Sequence, residues 1–96
     1  MPWLPQESYV ALGEVLAGVR LAAGATQEEL AARLGKPQSF VSSYERGQRR
    51  IDLLEFLAVV DALSADPRRT FDRVLRRFQA RRAASAPGRQ RRRRSP

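Results

Sequence analysis

Two short segments with helical apolar spacing, residues 26–34 and 38–46, are separated by only three residues. Their apolar positions are Leu30, Ala31 and Leu34 in the first segment and Val41 and Tyr44 in the second. Steps of three and four residues place such side chains on one face of a helix. Gly35 and Pro37 lie in the gap, where a glycine ends one helix and a proline is tolerated at the start of the next. So short a connection forces the second helix across the first, which is the helix-turn-helix arrangement.

Helix start signals occur at two further places with the same spacing. Thr26-x-x-Glu29 and Asp52-x-x-Glu55 each match a capping box, in which both side chains accept the first free backbone N–H groups of a helix. The predicted helices cover residues 9–23 with Ser8 as the cap, 26–34, 38–46, 53–63 and 67–80. Since no segment shows strand-like alternation, the sequence predicts an all-α fold, a compact bundle of four to five short helices.

The last predicted helix carries an apolar stripe at helical spacing, formed by Phe71, Val74, Leu75 and Phe78. Such a stripe favours burial against another apolar surface. We interpret it either as closure of the domain core or as the seam of a dimer, rather than as a membrane face.

Charge divides the chain unequally. Residues 1–66 hold six basic and nine acidic residues, a net charge of −3, whereas residues 67–96 hold twelve basic residues and one acidic residue, a net charge of +11. From about Ala83 onward the sequence consists largely of Ala, Ser, Pro, Gly and Arg, which cannot bury enough apolar surface to become ordered. We therefore predict a flexible N-terminal arm (1–7), a helix-turn-helix domain (8–80) and a disordered Arg-rich tail (81–96). The run Arg91–Arg94 is either a solvated charged segment or a source of non-specific DNA affinity.

Composition excludes several classes of protein. The chain has no Cys and no His, which excludes disulfide frameworks, the usual zinc sites and thiol or imidazole catalysis. Glu28, Glu29, Asp52 and Glu55 are accounted for at helix starts, and so small a domain has little room for the sheltered cleft that catalysis by two carboxylates needs. We therefore predict no enzyme activity, no cofactor and no metal. No apolar run approaches the roughly 18 residues of a membrane span, and the N-terminus does not resemble a secretory signal. We expect a cytoplasmic protein without membrane contact.

The outward face of the second helix in the pair is polar. Its members are Gln38, Ser39, Ser42 and Ser43, hereafter the polar ridge. A glutamine can bond to adenine N6 and N7 together, and a serine can donate or accept a hydrogen bond, so we predict that these four residues contact DNA bases. Phe40, beside them, either touches a thymine methyl group or supports the turn.

Basic side chains surround the polar ridge. They are Lys36, Arg46, Arg49 and Arg50. We expect these cations to contact phosphates, which fix the register of a protein on DNA while base contacts provide specificity.

The combined spacing resembles the Cro/CI-type (XRE, lambda-repressor-like) helix-turn-helix family over residues 9–63. The motif reads Gln27-x-x-Leu30-Ala31-x-x-x-Gly35-x-x-Gln38-Ser39-x-Val41-Ser42-x-Tyr44-Glu45-x-Gly47. The resemblance implies that the third helix enters the major groove and that Gln38, Ser39 and Ser42 face bases. It also implies that Gln27, at the N-terminus of the second helix, holds a phosphate.

The same resemblance implies a supporting role for residues behind the third helix. It implies that Arg20 and Glu45 pair inside the domain and brace the third helix. Apolar spacing, rather than the resemblance, predicts that Val41 and Tyr44 lie in the core, with the Tyr44 hydroxyl reaching the rim. The chain departs from the family pattern at Ala25, where a larger apolar residue is usual, and at Pro37, where Ser or Thr often caps the helix.

These features predict a bacterial transcriptional regulator, acting as a repressor and associated with the nucleoid when bound. It is expected to bind double-stranded DNA as a homodimer on half-sites about 34 Å apart. The alternative is an antitoxin-type module that binds a protein partner through residues 67–80 or the basic tail and regulates its own expression. A third possibility is non-specific coating of nucleic acid by the tail.

Overall fold

The computed structural model describes residues 4–85, with Ser85 described by its backbone alone, and these residues form five α-helices without a strand. The helices are α1 (Gln6–Ala22), α2 (Gln27–Leu34), α3 (Gln38–Glu45), α4 (Leu53–Ala62) and α5 (Pro67–Ser85). α1 packs against α3 and α5, α2 packs against α3 and α4, and α4 packs against α5. The predicted all-α bundle is therefore confirmed.

Local signals position α2 and α4 as predicted. The Thr26 hydroxyl accepts the Glu29 N–H at 3.0 Å, and the Glu29 carboxylate accepts the Thr26 N–H at 2.9 Å. Asp52 and Glu55 form the equivalent pair at the start of α4. α2 ends at Gly35, whose φ of 68° is the left-handed conformation that favours glycine. The turn that directs α3 across α2 is thus encoded by neighbouring residues.

Both ends of the described chain differ from the predicted boundaries. α1 starts at Gln6, so the prediction that Ser8 caps it is wrong: Pro5 is the N-cap, and the Ser8 N–H donates to the Pro5 carbonyl at 3.0 Å within the first turn. Glu7 lies in the first turn of α1, where a negative charge is favourable because it is close to the helix N-terminus. α5 continues through Ser85, so residues 81–85 are helical rather than part of a disordered tail. Residues 86–96, including Arg91–Arg94, lie outside the described residues.

The core is built from the first four helices. Its fully buried side chains include Val15, Leu16, Leu30, Val41, Tyr44, Val59 and Val60. α5 contributes less: among its described side chains, Thr70 is the one that is buried, and Val74 is half-buried against the core. Of the apolar stripe, Val74 and Phe78 are half-buried, whereas Phe71 stays 52 % exposed and Leu75 37 % exposed, so core closure accounts for only part of the stripe.

No single helix within residues 4–85 is long and apolar enough to cross a membrane. By length and composition alone, only α1 and α2 taken together, bent by 98° at their junction, would reach that threshold.

Candidate nucleic-acid interface

The polar ridge lies on the surface of α3. Gln38 and Ser39 are exposed, and Ser42 and Ser43 are half-buried. The opposite side of the helix is held in the core by Val41, which is fully buried. The structure therefore brings the four predicted base-contacting residues together on one accessible face of a firmly packed helix.

A chain of hydrogen bonds connects this face to the interior. The Gln38 side-chain N–H donates to Gln27 Oε1 at 2.9 Å, and the Gln27 side-chain N–H donates to Glu45 Oε1 at 2.9 Å. The side-chain amides of Gln27 and Gln38 each donate one N–H in this network, and these bonds fix the orientation of both amide groups. Gln27, Gln38 and Glu45 come from the start of α2, the start of α3 and the end of α3, so the chain joins both helices of the pair.

An ion pair between Arg20 and Glu45 lies at the buried end of this series of hydrogen bonds. Arg20 donates to Glu45 through Nε at 2.8 Å and through Nη2 at 3.1 Å, and its Nη1 donates to the Ala25 carbonyl at 2.9 Å. Both side chains belong to residues only 9 % exposed. The hydrogen bond to Glu45 raises the pKa of Arg20 above its usual value, against the opposing effect of burial. The pair that the resemblance implied is present, and it joins α1 to the end of α3.

The two departures from the family pattern are accommodated locally. Ala25 is buried with the core cluster, and its carbonyl accepts from Arg20, so the backbone at this position is held by the ion pair even though the side chain is small. Pro37 is the N-cap of α3 with a φ of −69° and makes no side-chain capping bond. The fixed φ of proline suits the start of a helix without such a bond.

The predicted phosphate contacts fall into two groups. Lys36, Arg46 and Arg50 are exposed and form no ion pair with any residue from 4 to 85. Arg49 is half-buried and already engaged, since it donates to both Glu55 carboxylate oxygens at 3.4 Å and to the Arg50 carbonyl at 2.6 Å. The sequence did not indicate that Arg49 would also pair with Glu55.

Two aromatic residues on α3 take defined places. Phe40 is half-buried against the core, and its ring meets that of Tyr44 edge to face, with centroids 5.5 Å apart. The Tyr44 hydroxyl is buried and has no hydrogen-bond partner within residues 4–85, so the prediction that it reaches the rim is wrong. Burial raises the pKa of Tyr44.

Two positioning contacts were missed by the sequence analysis. Gly13 lies where α1 crosses the end of α3, and a Cβ there would fall within 3.0 Å of the Tyr44 and Glu45 carbonyl oxygens. The Gln6 side chain donates to the Gly47 carbonyl at 2.8 Å, just beyond α3. A glycine inside an apolar helical pattern was the only available signal, because such a residue often marks a close approach of two elements.

Comparisons with known proteins agree with this arrangement. The family model HTH_3, described as helix-turn-helix, matches residues 16–68. A search of curated proteins found no match. Among solved structures, the restriction-modification controller protein C.AhdI from Aeromonas hydrophila is 38 % identical with a TM-score of 0.62, over 67 % of this chain and 97 % of that one.

Two other solved structures are similar over most of their length. An XRE-family like protein from Pseudomonas syringae is 46 % identical with a TM-score of 0.64, over 71 % of this chain and 83 % of that one. The clp gene regulator ClgR from C. glutamicum is 26 % identical with a TM-score of 0.66, over 71 % of this chain and 88 % of that one.

Proposed function

The chain belongs to the helix-turn-helix family HTH_3, of the Cro/CI (XRE) type, and from this membership we propose that it binds double-stranded DNA and regulates transcription. The observation that carries the proposal is the exposed polar ridge on α3, backed by a buried ion pair. The solved relatives include a restriction-modification controller and a clp gene regulator, which supports a regulatory rather than a catalytic role.

Base reading is assigned to the polar ridge because its geometry limits the orientation of Gln38. With one N–H bonded to Gln27, the Gln38 amide still has a free N–H and a free carbonyl oxygen. A free donor and acceptor side by side match the N7 and N6 positions of adenine in the major groove. Gln27 lies at the N-terminus of α2, where the backbone N–H groups and the helix dipole also favour a phosphate.

Replacing Gln38 with alanine is expected to weaken binding to a preferred duplex by roughly 1–3 kcal/mol, or about 5- to 150-fold in Kd. The preferred duplex is the one selected by the wild-type chain from a random pool. Binding to a duplex of random sequence should change far less, because phosphate contacts carry that affinity. Titrations of both duplexes at one fixed salt concentration measure the two effects.

Gln79 provides a matched control for this experiment. It is an exposed glutamine on α5, so Gln79→Ala removes the same group away from the polar ridge and should preserve the ratio of the two affinities. An equal loss of affinity for both duplexes in the Gln38→Ala variant would contradict a base-reading role.

Repression and dimerisation are further parts of the proposal. A regulator that covers part of a promoter represses by occupying it, and two copies would read two half-sites about 34 Å apart. The surface that suits a second copy is an apolar patch on α4 and α5, formed by Leu53, Leu54, Leu57 and Phe71. Leu54 is 75 % exposed and Leu53 65 % exposed, and adjoining exposed apolar side chains of this kind mark interaction sites.

Placing a charge in the apolar patch is expected to separate the dimer. Leu54→Glu should raise the Kd of self-association roughly tenfold or more, because burying a leucine contributes about 1.5–3 kcal/mol. Sedimentation analysis over a concentration series measures this change. Leu21→Glu is the matched control, since Leu21 is likewise strongly exposed, at 65 %, but lies on α1. Unchanged self-association in the Leu54→Glu variant would remove the patch from the interface.

The antitoxin-type alternative is favoured by one observation on α5. This helix combines exposed apolar side chains with seven arginines, a surface able to hold an acidic protein partner. Pulldown through residues 67–96 distinguishes the two proposals: stoichiometric recovery of one small acidic protein supports the alternative, and recovery of a second copy of this chain supports the homodimer.

A further inference from the structure

One aromatic ring contacts the cations at both ends of α3. Lys36 Nζ lies 5.4 Å from the centroid of the Phe40 ring, and Arg49 Cζ lies 4.5 Å from the same centroid. Lys36 belongs to the turn before α3, whereas Arg49 belongs to the connection after it. Both distances are within the roughly 6 Å at which the electron-rich face of an aromatic ring attracts a cation.

The Phe40 ring is held in position by its contact with the core. It meets the Tyr44 ring edge to face with an interplanar angle of 76°, and Tyr44 is 2 % exposed. Edge-to-face contact is a preferred arrangement of two aromatic rings. The Phe40 ring is therefore attached to the core, and both cations lie close to this anchored ring.

Holding a cation with a ring differs from holding it with a carboxylate. An acidic partner neutralises the charge that a phosphate must meet, whereas an aromatic face restrains the cation and leaves its charge available. Lys36 has no ion pair within residues 4–85, and Arg49 pairs with Glu55 only through two contacts of 3.4 Å, longer than the roughly 2.7–2.9 Å typical of a charge-assisted hydrogen bond. Glu55 Oε1 also accepts the Asp52 N–H at 2.9 Å, so the α4 cap already uses it.

We propose that Phe40 is a positioning residue that holds Lys36 and Arg49 at the two ends of α3 for contact with DNA phosphates. The inference rests on the proposed function and deepens it. It assigns to Phe40 neither a base contact nor a purely structural place in the turn. The ring acts through the two cations, which contribute to affinity for every sequence alike.

The test is the salt dependence of DNA binding by the full chain carrying Phe40→Leu. The slope of log K against log salt is negative, and each lost phosphate contact reduces its magnitude by about 0.9. We expect the magnitude of the slope to fall by about 1 to 2, the affinity at low salt to fall several-fold for both the selected and the random duplex, and their ratio to stay constant. Phe40→Tyr, which keeps the aromatic face, should restore the wild-type slope.

A double-mutant cycle separates positioning from structural support. In a background carrying Lys36→Ala and Arg49→Ala, Phe40→Leu should cause no further change in slope, because the groups through which the ring acts are absent. A lower preference for the selected duplex with an unchanged slope would instead make Phe40 a base contact. Unchanged slope and unchanged preference would leave the ring without a role in binding.

A second measurement does not need DNA and covers a Phe40→Leu variant that fails to fold. In the wild-type chain, a ring this close to Lys36 and Arg49 should shift their side-chain proton resonances upfield in the NMR spectrum. Normal shifts for both would overturn the proposal. If the wild-type chain binds neither duplex while these shifts are present, it is the proposed function that fails.

Discussion

Replacing Gly13 with alanine is expected to destabilise the domain by roughly 1–3 kcal/mol and to displace α3. Helix propensity alone predicts the opposite, because alanine is about 1 kcal/mol better than glycine inside a helix. The packing effect prevails here, since the added Cβ would fall within 3.0 Å of two backbone carbonyl oxygens, those of Tyr44 and Glu45. Backbone atoms cannot rotate aside as a side chain can, so α1 and the end of α3 must separate.

Gly18 supplies the control on the same helix. A Cβ at Gly18 would meet only the Arg73 guanidinium, at 3.4 Å, which is ordinary contact with a flexible side chain. Gly18→Ala should therefore be neutral or stabilising by up to about 1 kcal/mol. Chemical denaturation measures both variants, and titration with the selected duplex should show weaker binding for Gly13→Ala alone. Equal stability of the two variants would mean that α1 and α3 tolerate a wider spacing.

The parts of the fold that were predicted correctly depend on residues close together in the sequence. The Thr26–Glu29 box and the left-handed Gly35 define the ends of α2 through contacts within a few residues. The apolar spacing of Val41 and Tyr44 then determines which face of α3 is buried. Local chemistry thus predicts the helix-turn-helix pair and the face that it exposes.

The features that sequence analysis missed depend on contacts between distant segments. The glycine at position 13 signals a close approach but does not reveal that the end of α3 is what approaches it, and no local pattern indicates that Arg49 meets Glu55 across the turn before α4. A buried hydroxyl normally has a hydrogen-bond partner, so the sequence favours a rim position for the Tyr44 hydroxyl, whereas the structure buries it without a partner within residues 4–85. Apolar periodicity does not reveal the start of α1 at Gln6, because the first turn of this helix is polar and carries no apolar spacing.

Breaking the Arg20–Glu45 pair from one side is expected to cause the largest loss of stability. Glu45→Leu leaves the Arg20 guanidinium buried with the Ala25 carbonyl as its remaining acceptor, and a buried charge without its partner costs roughly 3–5 kcal/mol. Replacing both partners, as Arg20→Met with Glu45→Leu, should recover most of that loss, because a buried ion pair exchanged for apolar side chains is often neutral or stabilising.

The double variant also separates stability from recognition. It removes the carboxylate that accepts the Gln27 N–H, so Gln27 is free to rotate and Gln38 loses its fixed partner. We therefore expect a stable domain whose preference for the selected over the random duplex falls several-fold, measured by denaturation and by titration of both duplexes. A double variant with wild-type preference would show that Glu45 does not orient the glutamines. A loss below about 1 kcal/mol in Glu45→Leu, the value typical of exposed pairs, would show that solvent screens the ion pair.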